Sequence, residues 1–144
     1  MIRFVDEKIS VAPQISPADI PAIKAAGFVA IVNNRPDGEE NGQPTGAAIR
    51  AAAEDAGLAY TAIPVTQAGF SYPQVAAMTE ALGSANGAVL AYCRSGTRSC
   101  NLWALAAAGL GEDADEVTAK AAAAGYDLTA LRPLMDAVAG RDGA

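Results

Sequence analysis

The sequence contains no histidine, and that absence alone removes a whole class of candidate chemistry. A Cys–His nucleophile pair is excluded outright, and metal sites built on imidazole go with it. There are two cysteines, Cys93 and Cys100, seven positions apart and not arranged as clustered pairs. Neither a structural zinc site nor a disulfide framework is therefore expected, and no metal or other cofactor is called for. No apolar run approaches the ~18 residues of a membrane-spanning helix. Met1-Ile-Arg-Phe4 has no apolar stretch behind it of the kind a secretory signal needs. The expected setting is the cytoplasm, with both thiols reduced. Positive charge is also short: 10 Lys and Arg stand against 16 Asp and Glu, a net charge of −6. Nucleic acid and anionic membrane are accordingly not expected as partners.

What is present suits one domain over residues 1–144, with a core supplied by 51% hydrophobic residues, many of them alanine. Ile2–Val11 reads as an opening strand or hairpin interrupted by Asp6-Glu-Lys8. Ser16-Pro-Ala-Asp19 carries the signals of a helix start, and Gly27 those of its end. Phe28–Val32 is a short continuous apolar run, as in a strand covered on both faces. The polar loop Asn33–Pro44 leads to a helix over Thr45–Ala56, then to a strand over Leu58–Val65. Ser71-Tyr-Pro-Gln74 fits a capping box opening a helix that ends near Gly83. A strand over Ala88–Tyr92 and a helix containing Asn101-Leu-Trp-Ala-Leu-Ala106 follow. Asp113–Ala124 and Leu131–Ala139 supply two short C-terminal helices within residues 112–140, and Arg141–Ala144 reads as a frayed tail. This alternation predicts an α/β layer fold with a central, mainly parallel sheet flanked by helices.

The chemistry concentrates where the strand Ala88–Tyr92 gives way to Cys93-Arg-Ser-Gly-Thr-Arg-Ser99. A buried strand, a tight loop and a helix N-terminus together bring free backbone N–H groups and a helix dipole to one place, which suits an anion. Only a thiolate attacks, and a free thiol with a pKa of about 8.5 is mostly protonated. Without histidine, activation of Cys93 falls to the backbone N–H groups of Arg94–Ser99, the helix start, and Arg94 or Arg98. Gly96 lets the backbone close tightly around an oxyanion, and Arg98 offers it a planar fork of donors. Cys93 and Arg98 are the candidate catalytic residues, with Arg94, Ser95, Gly96, Thr97 and Ser99 as the anion-binding loop. Cys100 is expected to pack, although it could also resolve an oxidised Cys93.

That loop looks like the active-site loop of rhodanese sulfurtransferases and is similar to that of cysteine-based protein phosphatases. The phosphatase pattern sets five residues between Cys and Arg; here there are four, Arg94 to Thr97, as in the shorter rhodanese type. The chain as a whole, from Ile9-Ser-Val-Ala-Pro-Gln14 through Asn33-Asn-Arg-Pro-Asp37 to Trp103, resembles the phosphatase-like domain of bacterial beta-lactamase-hydrolase-like proteins. Members of that family are described sometimes as phosphatases and sometimes as sulfur transferases. The resemblance implies a dual-specificity-phosphatase-like architecture. It also implies a metallo-hydrolase-type persulfide enzyme as a partner, because related multidomain proteins join this domain to a metallo-hydrolase-like module.

Asn33-Asn-Arg-Pro-Asp-Gly-Glu-Glu40 leaves the carboxyl end of a predicted strand and is expected to face the same crevice as Cys93. It looks like the Asn-Leu-Arg-Pro stretch of some small phosphatases, with Asn34 in place of leucine. Asn34, Arg35 and Asp37 are supporting or substrate-binding candidates. Arg35 would hold the anion or brace the Cys93 loop; Asp37 would order Arg98 or move a proton. Glu39 and Glu40 read as a solvated rim. In the resembling phosphatases, the loop after the next strand carries an aspartate that protonates the leaving group. No Asp or Glu occurs here between Asp55 and Glu80. A general acid contributes typically 100- to 10,000-fold, whereas sulfite or a thiol leaves without one. The sequence therefore favours a sulfurtransferase that takes a sulfane sulfur from thiosulfate or a persulfide onto Cys93 and passes it to a thiol acceptor. The alternative is a cysteine phosphatase acting on a phosphate ester through a thiophosphate, and a third reading is an anion- or redox-sensing module.

Overall fold

The computed structural model describes residues 1–143. A hairpin opens the chain: β1 (Arg3–Phe4) runs antiparallel to β2 (Ile9–Ala12), and Asp6 makes the turn by accepting from the backbone N–H groups of Lys8 and Ile9. A 3-10 turn over Pro17–Asp19 leads into α1 (Ile20–Ala25). The expected single helix is divided because Pro21 has no N–H to give to the turn before it. Then come β3 (Phe28–Asn33), α2 (Gly46–Asp55), β4 (Ala59–Ala62), α3 (Tyr72–Ser84), β5 (Ala88–Tyr92) and α4 (Thr97–Gly109). The predicted strand over Leu58–Val65 is shorter as β4 because Pro64 cannot donate to a ladder. α5 (Ala114–Ala123) and, after a 3-10 turn over Thr129–Leu131, α6 (Arg132–Gly143) complete the described residues. The expected frayed tail is instead helical through Gly143, where the Arg141 guanidinium sits 4.2 Å from the centre of the Tyr72 ring; Ala144 lies outside the described residues.

The sheet order is β1-β2-β5-β3-β4, parallel throughout except for β1 at one edge. Side chains alternate between its faces, as the pleat requires. Val89 and Ala91 of β5 join Ile9, Val11, Ala30 and Val32 against Met78 of α3, Leu102, Trp103 and Leu105 of α4, Val117 of α5 and Met135 of α6. Leu90 and Tyr92 face the other way, with Ile31, onto Ile20 and Ile23 of α1 and Ile49 of α2. β5 is central and wholly buried beyond Ala88, which is why it reads as a continuous apolar run. Its carboxyl end is thereby fixed between those of β2 and β3. Among the described residues, no helix is long and apolar enough to cross a membrane.

Candidate active site

Three strand ends converge on Cys93. Its backbone N–H donates to Ala12 O at the end of β2 (3.3 Å), and Asn34 N–H, just past β3, donates to Tyr92 O at 2.8 Å. Arg94 O accepts from Gln14 N–H at 3.4 Å. The loop then turns at Gly96, whose φ of 92° is left-handed, and α4 starts at once with Thr97. The helix thus begins earlier than its alanine-rich stretch suggests. Thr97, Arg98 and Ser99 form its first turn, where backbone N–H groups have no intrahelical acceptor. Gly96 N–H donates to Cys93 Sγ at 3.1 Å, and Cys93 is fully buried.

Arg98 lies beside Cys93 but is not an open fork. Nη1 and Nη2 donate to the two oxygens of Glu39, each at 2.8 Å, and Nη1 also donates to Val65 O at 2.7 Å. The bond to Glu39 is the main reason the Arg98 guanidinium titrates above its ordinary range, and the adjacent Cys93 adds to it. Glu39 is therefore not the solvated rim residue expected from the sequence. Its carboxylate also accepts from Arg35 Nε at 2.8 Å. Arg98, opposed by partial burial and helped by Arg35, pulls the Glu39 carboxyl down to about 2. Glu40 is half exposed, paired with Arg35 at 3.0 Å and within 4.0 Å of the exposed Arg94.

The supporting candidates take structural positions. Asn34 is fully buried: its amide donates to Ile63 O at 3.0 Å and its Oδ1 accepts from Ser99 Oγ at 2.8 Å. It ties β3, the end of β4 and the first turn of α4 together. Arg35 has a side chain only 1% exposed and spends it on Glu39, Glu40 and Gln14 Oε1, the last at 3.1 Å. Of its two expected roles, the geometry is that of the brace. Asp37 makes no bond to Arg98, whose partners are Glu39 and Val65; its Oδ1 accepts from Gly46 N–H at 2.8 Å and pins the loop to the start of α2. Ser95 and Thr97 bond one another through their hydroxyls at 3.0 Å.

Cys100 is fully buried in the α3–α6 side of the core, and burial, with Cys93 nearby, pushes its thiol up to about 12. It packs, as expected, and a neutral thiol of that kind is a poor resolving nucleophile. An open cleft of about 360 Å³ lies beside α2 and β4, lined by Asn33, Arg35, Asp37, Arg50 and Tyr60 among others; Cys93 and Arg98 do not border it. Among the described residues, no group of three or more His, Cys, Asp or Glu is placed to hold a metal ion. Two site residues escaped the sequence reading. Glu39 had an acidic pattern but no sign of its partner, and Tyr126, whose hydroxyl donates to Ser95 O at 3.2 Å, lies 31 residues downstream.

A buried thiol heading a strand-to-helix loop, on a mainly parallel five-stranded sheet with helices on both faces, is the dual-specificity-phosphatase-like fold. Residues 1–110 match the family described as the phosphatase-like domain of beta-lactamase hydrolase-like protein, and the chain belongs to that family. It is 39% identical over 101 residues to a beta-lactamase hydrolase-like protein of Agrobacterium fabrum, covering 70% of this chain and 23% of that one. Under a third of the length of the curated relatives it matches is spanned in this way. A solved structure from Neisseria meningitidis, described as a candidate phosphatase, is 37% identical with a TM-score of 0.82, over 95% of this chain and 97% of that one. Tk-PTP in its active form shares the fold at 16% identity, with a TM-score of 0.76 over 97% of each chain.

Proposed function

We propose that the chain is a cysteine-dependent enzyme of the phosphatase class, with Cys93 as its nucleophile. The observation that carries this reading is the Cys93 thiol at the head of α4, with the Gly96 N–H on its sulfur and the Arg98 guanidinium beside it. The thiolate attacks phosphorus, an S–P bond forms, and the P–O bond to the leaving group breaks; water then hydrolyses the thiophosphate. First-turn N–H groups and Arg98 stabilise the equatorial oxygens. The 37% identical relative described as a candidate phosphatase supports this order of preference over the sulfur transfer that the loop length and the missing acid together favour. The loop from β4 to α3 carries no acid, and Glu39, held ionised by Arg98, cannot replace it. Substrates with good leaving groups, such as aryl phosphates, are therefore expected to react and alkyl phosphates to react poorly.

Sulfur transfer remains a second reading, favoured by the four-residue spacing between Cys93 and Arg98 and by the same missing acid. Cys93 would then carry a persulfide, and a thiol acceptor, with a metallo-hydrolase-type persulfide enzyme as the partner, would receive the sulfur. One preparation separates the two. Aryl phosphate should be hydrolysed, and thiosulfate should leave the intact mass unchanged, with Cys93→Ser inactive and folded. A gain of about 32 Da on Cys93, one sulfur on the thiolate, without phosphate release would reverse the assignment.

A further inference from the structure

Tyr126 lies beyond the residues that match the family, in the connection from α5 to the 3-10 turn before α6. Its hydroxyl donates to Ser95 O, and the nitrogen of that same peptide group is the Gly96 N–H that donates to Cys93 Sγ. One planar amide is therefore held at both ends, by a phenol on its oxygen and by the thiol sulfur on its hydrogen. The phenol is seated closely: a Cβ built on Gly96 would collide with Tyr126 Oη. The ring is fixed in turn. Tyr126 N–H donates to Ala121 O at 2.9 Å, and the Arg3 guanidinium stands 5.9 Å from the ring centre while donating to Ala124 O at 3.0 Å. Burial raises the phenol above the ordinary tyrosine range, against the pull of Arg3, so the hydroxyl keeps its proton at neutral pH.

We propose that Tyr126 is a positioning residue for the Cys93 thiolate: it fixes the Ser95–Gly96 peptide so that the Gly96 N–H stays on the sulfur. Drawing density from the carbonyl also polarises the shared amide and strengthens its donation. This rests on the reading of Cys93 as the nucleophile. The other titratable or charged groups around that sulfur are Arg98, Glu39 behind it, the buried Cys100, and the exposed Arg94 on the loop.

The test follows the rate at which iodoacetamide alkylates Cys93, located by peptide mass mapping, as a function of pH and without substrate. One neutral hydrogen bond is at stake, on the order of a three- to tenfold change in rate. Tyr126→Phe should move the profile to higher pH and slow alkylation at neutral pH about three- to tenfold. A monofluorinated tyrosine at the same position, a stronger donor of nearly the same shape, should move it to lower pH, and this variant decides the matter if Tyr126→Phe does not fold. An unmoved profile in either folded variant overturns the proposal, and so does a shift to higher pH in the fluorinated one, which would mark loosened packing. If Cys93 of the wild type fails to alkylate at all, the nucleophile reading falls and the positioning role falls with it. If Cys93 reacts normally and only the tyrosine variants are silent, the nucleophile reading stands.

Discussion

Arg98 gives one hydrogen from each terminal nitrogen to Glu39 and a second from Nη1 to Val65 O, so its plane is fixed before a substrate arrives and two of its five N–H donors are left for an oxyanion. Glu39 sets that plane and Val65 O sets the reach. A lysine keeps the charge but cannot span two carboxylate oxygens and a carbonyl from one rigid plane. A phosphoryl transition state spreads its charge over three equatorial oxygens, so the fork matters most there. Arg98→Lys should therefore reduce aryl phosphate hydrolysis about a hundredfold, the scale of one lost positioned donor. Any sulfur transfer should fall clearly less, because backbone N–H groups can hold a single anionic sulfur largely by themselves. Rates for both reactions on the same variant check this; equal losses would refute it.

The loop between β3 and α2 and the start of α4 are joined at Asn34, which uses backbone and side chain together. Its main chain donates to Tyr92 O and accepts from Val65 N–H, while its amide meets Ile63 O and Ser99 Oγ. Asn34→Leu would leave a buried hydroxyl and a buried carbonyl without these partners, and should lower stability by about 2–4 kcal/mol. The denaturant midpoint reads it, and an unchanged midpoint would show the junction to be redundant. This element-level wiring was only partly visible beforehand. β5 and the capping box at Ser71 announce themselves through a local apolar run and short-range hydrogen bonds. The Cys93 loop was legible because its chemistry is contiguous. Glu39 was not, since an acid in a glycine-containing loop looks solvated until the fold brings Arg98 to it from 59 positions away. Tyr126 was hidden for the same reason, and so was the bond from Gly46 N–H to Asp37, a carboxylate that in sequence stands nearer to Arg35.

For the molecule as a whole, the Glu39 cluster links acid stability to the site. A carboxyl lowered from 4.5 to about 2 on folding contributes stability that is fully present above pH 4.5 and is lost as pH falls toward 2. Glu39→Gln removes that dependence and leaves the buried Arg35 with Glu40 as its one remaining acidic partner. The variant should be less stable than wild type at pH 7, yet lose less of its urea midpoint between pH 5 and pH 3. Parallel losses in the two chains would show that other carboxylates govern acid unfolding. The strand order carries a different consequence, one for synthesis. β2 and β3 are never neighbours; β5 lies between them and is the last strand made. On a ribosome, the residues before Ala88 therefore emerge with two apolar strands that lack the central ladder joining them. The sheet can close only after Ala88–Tyr92 has left the exit tunnel, and the N–H of Cys93, the next residue out, meets Ala12 O in that same closing step. Until then the nascent chain carries open strand edges of the kind that other chains can pair with.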